Sequence, residues 1–256
     1  MNDNKSTFSL NESNASKEQL NARDELEALF LNCTMPKAEL MTQMGLFIRS
    51  SYLVKFLVLD DLYKRILKVP GDIFEFGTRF GHNLVVFENL RAIYEPFNKT
   101  RKIVGFDTFE GYRGFSDKDY ESEVLAENTY QTSKEYPHYL RNLLSVHEKN
   151  NVLGHISGNH EIIEGNVTKT SKEYFENNRS RFVALAYLDM GLYEPTKCAL
   201  EEIKPHLLPG SVILLDELTW EESPGEAIAF KEVFSTIDYK IEKSSLTPMR
   251  SIITIK

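Results

Sequence analysis

Residues 182–218 decide the fold, and they read FVALAYLDMGLYEPTKCALEEIKPHLLPGSVILLDEL. The stretch holds two apolar runs, FVALAYLDM (182–190) and SVILLDEL (211–218), separated by the helical pattern TKCALEEIKPHL (196–207). Apolar runs of this length without polar alternation are typical of strands that are buried on both faces, as in parallel sheets. A strand, a helix and a second strand in this order predict a parallel βαβ unit.

The same alternation continues on both sides of this unit. Upstream, DIFEF (72–76) and KIVGF (102–106) are predicted strands that flank a helix over 81–95. Further helices are predicted over 135–149 and 224–234, extended pieces at 152–158 and 161–166, and a C-terminal antiparallel hairpin from YKIEKSS and SIITIK. The pattern therefore predicts one α/β domain over residues 69–256, built on a mostly parallel sheet.

The N-terminal part of the chain has a different character. Residues 1–22 are polar and rich in Asn, Ser and Lys, which predicts a disordered tail. Residues 23–68 have a helical period, with one helical stretch predicted from about Lys37 to Leu67, and form a predicted extension that ends before Pro70-Gly71. This extension has more apolar positions than one covering face needs, which predicts a homodimer or larger homo-oligomer. The alternative is that its helices bury each other.

Composition excludes several classes of function. The 256 residues include 30 basic and 38 acidic side chains, so the net charge of −8 argues against a general nucleic-acid binder. No apolar run approaches the roughly 20 residues that cross a bilayer, and the first residues lack a signal peptide's apolar core. We therefore expect a cytoplasmic protein without membrane partners. Cys33 and Cys198 form no CxxC pattern, so a zinc ribbon or a disulfide scaffold is not expected.

Each predicted strand ends in glycines or polar residues, and ligands of open α/β sheets bind beyond these carboxyl ends. The first strand is followed by a turn with Gly77 and Gly81, which lets a ligand approach the backbone closely. The second ends at Asp107, the place where a carboxylate accepts the hydroxyls of a ribose. Asp107 followed by Thr108 is also a common turn cap, so both interpretations stand.

Three further carboxylates, Asp189, Asp216 and Glu217, follow the last two parallel strands. Brought together, they would repel each other unless a cation is present, and oxygen ligands suit Mg²⁺. The alternative is that they are N-caps of the helices that follow.

Other side chains are weaker candidates. His82, His155 and His160 are candidates for a general base, whereas His206 near a helix end is predicted to be structural. Trp220 is a candidate for an apolar substrate wall or for core packing. The weakly patterned segment 114–141 is a candidate lid over the substrate.

Four segments together resemble the TylF, or macrocin O-methyltransferase, family over about residues 40–254. They are GDIFEFGTRFGHN (71–83), GFDTFEGY (105–112), IEGNVTKT (163–170) and the stretch from 186 to 218. The resemblance implies a Rossmann-like class I methyltransferase fold with a seven-stranded sheet. It also implies a magnesium-dependent transfer of a methyl group from S-adenosylmethionine to a hydroxyl of a sugar or a nucleotide-linked sugar.

The resemblance also implies roles for individual residues. The first turn would bind the methionine part of the cofactor, Asp107 the ribose, and the Gly165–Thr168 loop the adenine side. Asp189, Asp216 and Glu217 would hold Mg²⁺, with Asp189 also touching the cofactor and acting as the proton acceptor. The implied cofactor-binding residues are Glu75, Gly77, Thr78, Gly81, Asp107, Thr108, Phe109, Gly165, Asn166 and Asp189.

The sequence departs from the family pattern at three places. Gly191 stands where a second acid is usual, Glu217 replaces the second Asp of a pair, and His82 replaces a glycine. These departures support the alternative of a non-catalytic or metal-independent S-adenosylmethionine-binding protein on the same fold.

Overall fold

The computed structural model describes residues 15–120, 125–151 and 159–256. The chain divides into two compact units, one up to residue 55 and one from Phe56 to Lys256. The predicted strand at 152–158 and His155 within it lie outside the described residues.

In the first unit, the described residues 15–55 form helical elements and have no buried side chain. Helix α1 (Lys17–Leu31) begins with a capping box: Ser16 Oγ accepts from the amide of Gln19, and the Gln19 side chain accepts from the amide of Ser16. Residues 17–22, predicted as part of a disordered tail, are therefore helical. The single helix predicted over 37–67 is instead α2 (Lys37–Leu40), a 3-10 turn (Met41–Phe47) and α3 (Ser50–Arg65).

The second unit is built on one seven-stranded sheet with the order β3-β2-β1-β4-β5-β7-β6. The first five strands are parallel, and the last two form an antiparallel hairpin against β5. The strands are β1 (Asp72–Phe76), β2 (Ile103–Asp107), β3 (Glu161–Glu164), β4 (Val183–Leu188), β5 (Leu207–Leu215), β6 (Tyr239–Lys243) and β7 (Ser251–Ile255).

Helices cover both faces of the sheet. Residues 56–65 of α3 and helices α4 and α5 pack on one face, whereas α6, α7 and α8 pack on the other. Neighbouring strand residues alternate between the two cores, with Ile73 in one and Phe74 in the other. The remaining helices are α4 (His82–Tyr94), α5 (Tyr136–Asn151), α6 (Val167–Asn177), α7 (Tyr193–Ile203) and α8 (Pro224–Phe234).

Burial on both faces explains why the central strands are apolar along their whole length. All six residues of β4 are buried, as are the last five of β5. The predicted mostly parallel sheet with a C-terminal hairpin is confirmed. Within the described part of the chain, no helix is long and apolar enough to cross a membrane.

Candidate active site

We call the region beyond the carboxyl ends of β1, β2, β4 and β5 the crevice. The strand order runs from β1 outward to β2 and β3 on one side, and to β4 and β5 on the other. The point where the order reverses is where open α/β sheets bind ligands. The end residues of these strands therefore define the candidate site.

Strand β1 holds a buried carboxylate near its end, that of Glu75. Glu75 is 2% exposed, and its Oε1 accepts a 2.7 Å hydrogen bond from Asn83 Nδ2. Its Oε2 has no hydrogen-bond partner among the described residues. Burial, followed by the negative charge of Asp189, raises the pKa of Glu75 well above its usual range. A buried carboxylate oxygen in this state suits a cationic ligand group.

Asp107 ends β2 and binds two backbone amides. Its Oδ2 accepts from the amide of Arg79 at 2.6 Å, and its Oδ1 accepts from the amide of Phe109 at 2.6 Å. The turn-cap interpretation is therefore correct, and it does not exclude ribose binding, because each carboxylate oxygen has a second lone pair. Burial raises the pKa of Asp107 in spite of these two bonds.

The other predicted cofactor residues lie around these two acids. Thr78 is buried, and the ring of Phe109 belongs to the core, so Phe109 offers the crevice its backbone. Gly165 donates its amide to the carbonyl of Asp107 at 2.9 Å. The Asn166 side chain caps α6 by accepting from the amide of Thr168 at 2.9 Å.

The three predicted metal ligands are brought together. One carboxylate oxygen each from Asp189, Asp216 and Glu217 lies within 4.8 Å of the other two. Glu217 is 8% exposed, and its Oε2 has no hydrogen-bond partner among the described residues. The N-cap interpretation is wrong, because the caps of α7 and α8 are Leu192 and Ser223. Three converging oxygen donors with an unsatisfied buried atom fit a hard divalent cation.

Arg250 and Tyr187 hold Asp216 in place. Asp216 Oδ1 accepts from Tyr187 Oη at 2.9 Å and from Arg250 Nε. Arg250 offsets the negative charge of Asp216, whereas this ion pair does not involve the carboxylates of Asp189 and Glu217. The antiparallel register pairs Leu215 with Ser251, so Arg250 lies opposite Asp216. The register is the signal that would have identified Arg250, but the sequence does not supply it.

A fourth carboxylate, Glu226 in the first turn of α8, was not predicted. It is fully buried, and its Oε1 accepts from the backbone amide of Glu217 at 3.1 Å. Burial raises the pKa of Glu226 to about 8, and burial together with the charge of Asp189 raises that of Glu217 well above its usual range. Raised pKa values mean that these carboxyls retain protons near neutral pH, and a bound cation would favour their charged forms instead.

Gly191 lies next to Tyr112, which the sequence did not identify as a site residue. Gly191 has a φ of +64°, and a Cβ at this position would lie 3.3 Å from Tyr112 Oη. Tyr112 packs edge to face against Tyr130, with ring centroids 5.4 Å apart. Burial, and then the charges of Glu217 and Asp189, raise the pKa of Tyr112. Both tyrosines therefore lie near the acidic cluster.

Part of the candidate lid segment is anchored to the domain. The amide of Tyr112 donates to Thr129 at 3.1 Å, and Asp119 Oδ1 accepts from the amide of Tyr193 at 2.8 Å. Residues 121–124 lie outside the described part of the chain. The lid role stays a prediction.

Of the described candidate histidines, His160 is not placed as a general base for this site, and the role of His82 stays a prediction. His160 Nδ1 accepts from the amide of Ile103 at 3.1 Å, and Nε2 lies 2.7 Å from Glu88, at the opposite edge of the sheet from the crevice. His82 is exposed and packs edge to face against Phe56. His206 Nδ1 lies 2.7 Å from the carbonyl of Arg181, which is consistent with its predicted structural role.

Solved structures with this architecture include close relatives. The chain is 36% identical to CalS11, a calicheamicin methyltransferase, over 94% of each chain with a TM-score of 0.87. The apo structure of CalS11, a TDP-rhamnose 3'-O-methyltransferase of calicheamicin biosynthesis, is 35% identical over 94% of this chain and 96% of that chain, with a TM-score of 0.82. The O-methyltransferase NovP shares the fold at 14% identity over 79% of this chain and 80% of that chain, with a TM-score of 0.58. No family model and no curated protein matches the sequence.

The fold and the crevice define a class I S-adenosylmethionine-dependent O-methyltransferase, as the solved relatives also indicate. The identity to CalS11 over nearly the whole chain shows the family. The chain belongs to the TylF-like sugar O-methyltransferases, as its four motif segments predict.

Proposed function

We propose that this enzyme transfers the methyl group of S-adenosylmethionine to a hydroxyl of a sugar or a nucleotide-linked sugar, with Mg²⁺ bound by Asp189, Asp216 and Glu217. The observation that carries the proposal is the converging acidic cluster with its unpartnered Glu217 oxygen, in a chain 36% identical to CalS11. The acceptor class follows from that relative, whose substrate is a TDP-linked rhamnose.

The cofactor residues follow from the two buried acids. Glu75 Oε2 accepts from the ammonium of the methionine part, and Asp107 accepts from the ribose hydroxyls. The cofactor supplies a methyl group on a cationic sulfur. Fixing that methyl in line with the acceptor oxygen lowers the barrier by about 7–11 kcal/mol in favourable cases.

The acidic cluster is proposed to prepare the acceptor. A divalent cation bound there lowers the pKa of a nearby hydroxyl and fixes its position. Asp189 accepts the proton of the hydroxyl at its carboxylate. Arg250 and Tyr187 orient Asp216, and the Glu226 carboxylate holds the backbone of Glu217.

A turnover assay tests the proposal. Protein freed of metal with EDTA is mixed with S-adenosylmethionine and a panel of nucleotide-linked and free sugars, and S-adenosylhomocysteine is measured. We expect turnover with at least one sugar, lost without Mg²⁺ and regained when it is added. A protein that turns over no sugar at any Mg²⁺ concentration would contradict the proposal.

Metal-independent methyl transfer is the second candidate, favoured by one observation. Arg250 already pairs with Asp216, so one of the three carboxylates has a cation beside it. Turnover that persists in EDTA would support this candidate over the magnesium-dependent one. A protein that binds the cofactor without forming S-adenosylhomocysteine would support a non-catalytic role instead.

Replacing Asp107 should weaken cofactor binding. In Asp107→Ala we expect S-adenosylmethionine to bind at least tenfold more weakly by calorimetry, about 1.4 kcal/mol, because the acceptor for the ribose hydroxyls is lost. Asp107→Asn is the matched control for the structure of the turn. Its side-chain carbonyl oxygen can still accept a hydrogen bond from one of the two backbone amides that Asp107 binds. Wild-type affinity in Asp107→Ala would refute the ribose assignment.

The homodimer stays a prediction, and exposed apolar side chains of the first unit support it. Among these side chains, Leu31 is 71% and Met41 is 83% exposed. We expect light scattering at micromolar concentration to give twice the mass of one chain. The double variant Leu31→Glu/Met41→Glu should give a lower mass, because it places charges on the apolar surface. Removal of residues 1–14 should leave the dimer intact because that segment is polar. A single-chain mass for the wild type would refute the prediction.

A further inference from the structure

Arg79 occupies an unusual position in the turn after β1. Its backbone has a φ of +48°, a left-handed conformation that is uncommon for a residue with a side chain. Its amide donates to Asp107 Oδ2 at 2.6 Å, which fixes the backbone beside the proposed ribose site. The start of the Arg79 side chain is therefore held at the crevice.

The guanidinium of Arg79 contacts two aromatic rings. Its Cζ is 4.6 Å from the centroid of Phe80 and 4.6 Å from that of Tyr130. A cation within this distance of an aromatic centroid is attracted to the ring, while the N–H groups of the guanidinium are its hydrogen-bond donors. Across residues 15–120, 125–151 and 159–256, the structure gives this guanidinium no carboxylate partner, and its Nε is buried without an acceptor.

From its backbone beside Asp107, the side chain of Arg79 reaches a pair of tyrosines that lead toward the acidic cluster. Tyr130 contacts Tyr112, whose hydroxyl lies near Gly191 and the acidic cluster. Burial raises the pKa of Tyr130, while the charge of Arg79 lowers it and those of Asp189 and Glu217 raise it. Tyr130 thus has the cation and the acidic cluster as its charged neighbours. Phe80, the other ring that Arg79 contacts, is 47% exposed and adds an accessible ring.

We propose that Arg79 is the residue that binds a phosphate group of a nucleotide-linked sugar acceptor, with Phe80 and Tyr130 holding its guanidinium edge-on to the phosphate oxygens. The proposal rests on the proposed function, because it assigns the acceptor's charged end to this residue. A planar guanidinium matches two oxygens of a phosphate at once, which a lysine cannot do. The acceptor hydroxyl then faces the acidic cluster while the phosphate lies at Arg79, so charge fixes the orientation of the acceptor.

Binding without methyl transfer tests this residue independently of the reaction. Thymidine diphosphate is titrated calorimetrically into wild type, Arg79→Gln, Arg79→Lys and the control Arg179→Gln, whose arginine lies on the surface after α6. We expect Arg79→Gln to bind the diphosphate at least tenfold more weakly, Arg79→Lys to be intermediate, and Arg179→Gln to match wild type. S-adenosylmethionine should bind all four proteins within twofold.

Three results would overturn the proposal. The first is unchanged diphosphate affinity in Arg79→Gln. The second is a larger loss for S-adenosylmethionine than for the diphosphate, which would assign Arg79 to the carboxylate of the cofactor. The third is wild-type diphosphate affinity in Arg79→Lys. This result would overturn the proposal even if Arg79→Gln failed to fold. An enzyme that binds the diphosphate through Arg79 but methylates no sugar would refute the proposed function and leave this site intact.

Discussion

Asp189→Asn is expected to reduce turnover about 10³-fold at saturating cofactor and acceptor. The substitution removes a charged oxygen from the cluster and also the proposed proton acceptor, while the shape of the side chain is kept. Cofactor affinity should fall far less than turnover, because Asp189 is proposed only to touch the cofactor, whereas Glu75 and Asp107 bind its methionine and ribose parts. Single-turnover rates and calorimetry on the same preparation measure both quantities.

Asp216→Asn is the matched variant that separates the two roles of Asp189. It weakens the cation site but leaves the proton acceptor, so excess Mg²⁺ should restore part of the rate. In Asp189→Asn, excess Mg²⁺ should restore almost none. Binding of Mn²⁺, followed by electron paramagnetic resonance, should fall in both variants. A fully active Asp189→Asn enzyme in EDTA would show that the cluster is structural.

Most of the sheet could be predicted because each central strand is buried on both faces. Apolar runs as short as residues 183–188, bounded by polar residues, are typical of such strands, and the helices between them have clear periods. Helix α6 cannot be predicted in this way, because its sequence, VTKTSKEYFEN, is mostly polar and its capping Asn166 also matches a cofactor-binding motif of the family. The break between the 3-10 turn and α3 was also missed, because the apolar period continues across it.

Only the site residues that stand at the ends of strands could be predicted from the sequence. Strand ends identify Glu75, Asp107 and the acidic cluster, since the carboxyl ends of parallel strands meet at one edge. Residues that reach the crevice through tertiary contacts had no local signal. Glu226 enters from the first turn of a helix, Arg250 through an antiparallel register, and Tyr130 through a loop. The spacing of these residues in the sequence does not encode such contacts.

Gly77→Ala is expected to have the largest effect on folding. A Cβ at Gly77 would lie 2.0 Å from the carbonyl oxygen of Asp189, and the backbone has a φ of +91°. That oxygen belongs to the backbone after β4, so it cannot move aside without shifting the end of a buried strand. We expect the free energy of unfolding to fall by roughly 4 kcal/mol or more, measured by urea denaturation.

Gly114→Ala is the matched control, because it separates backbone strain from collision. Gly114 has a φ of +78°, close to that of Gly77, but nothing lies within 4 Å of an added Cβ. Gly114→Ala should therefore lower the free energy of unfolding only by the cost of holding alanine in a left-handed backbone conformation, about 1–2 kcal/mol.

The difference in unfolding free energy between the two variants measures how closely the turn after β1 packs against the backbone of Asp189. Folded Gly77→Ala protein should also bind Mn²⁺ more weakly, since the alanine displaces that backbone. Equal unfolding free energies in the two variants would mean that the turn and the acidic cluster are not packed against each other.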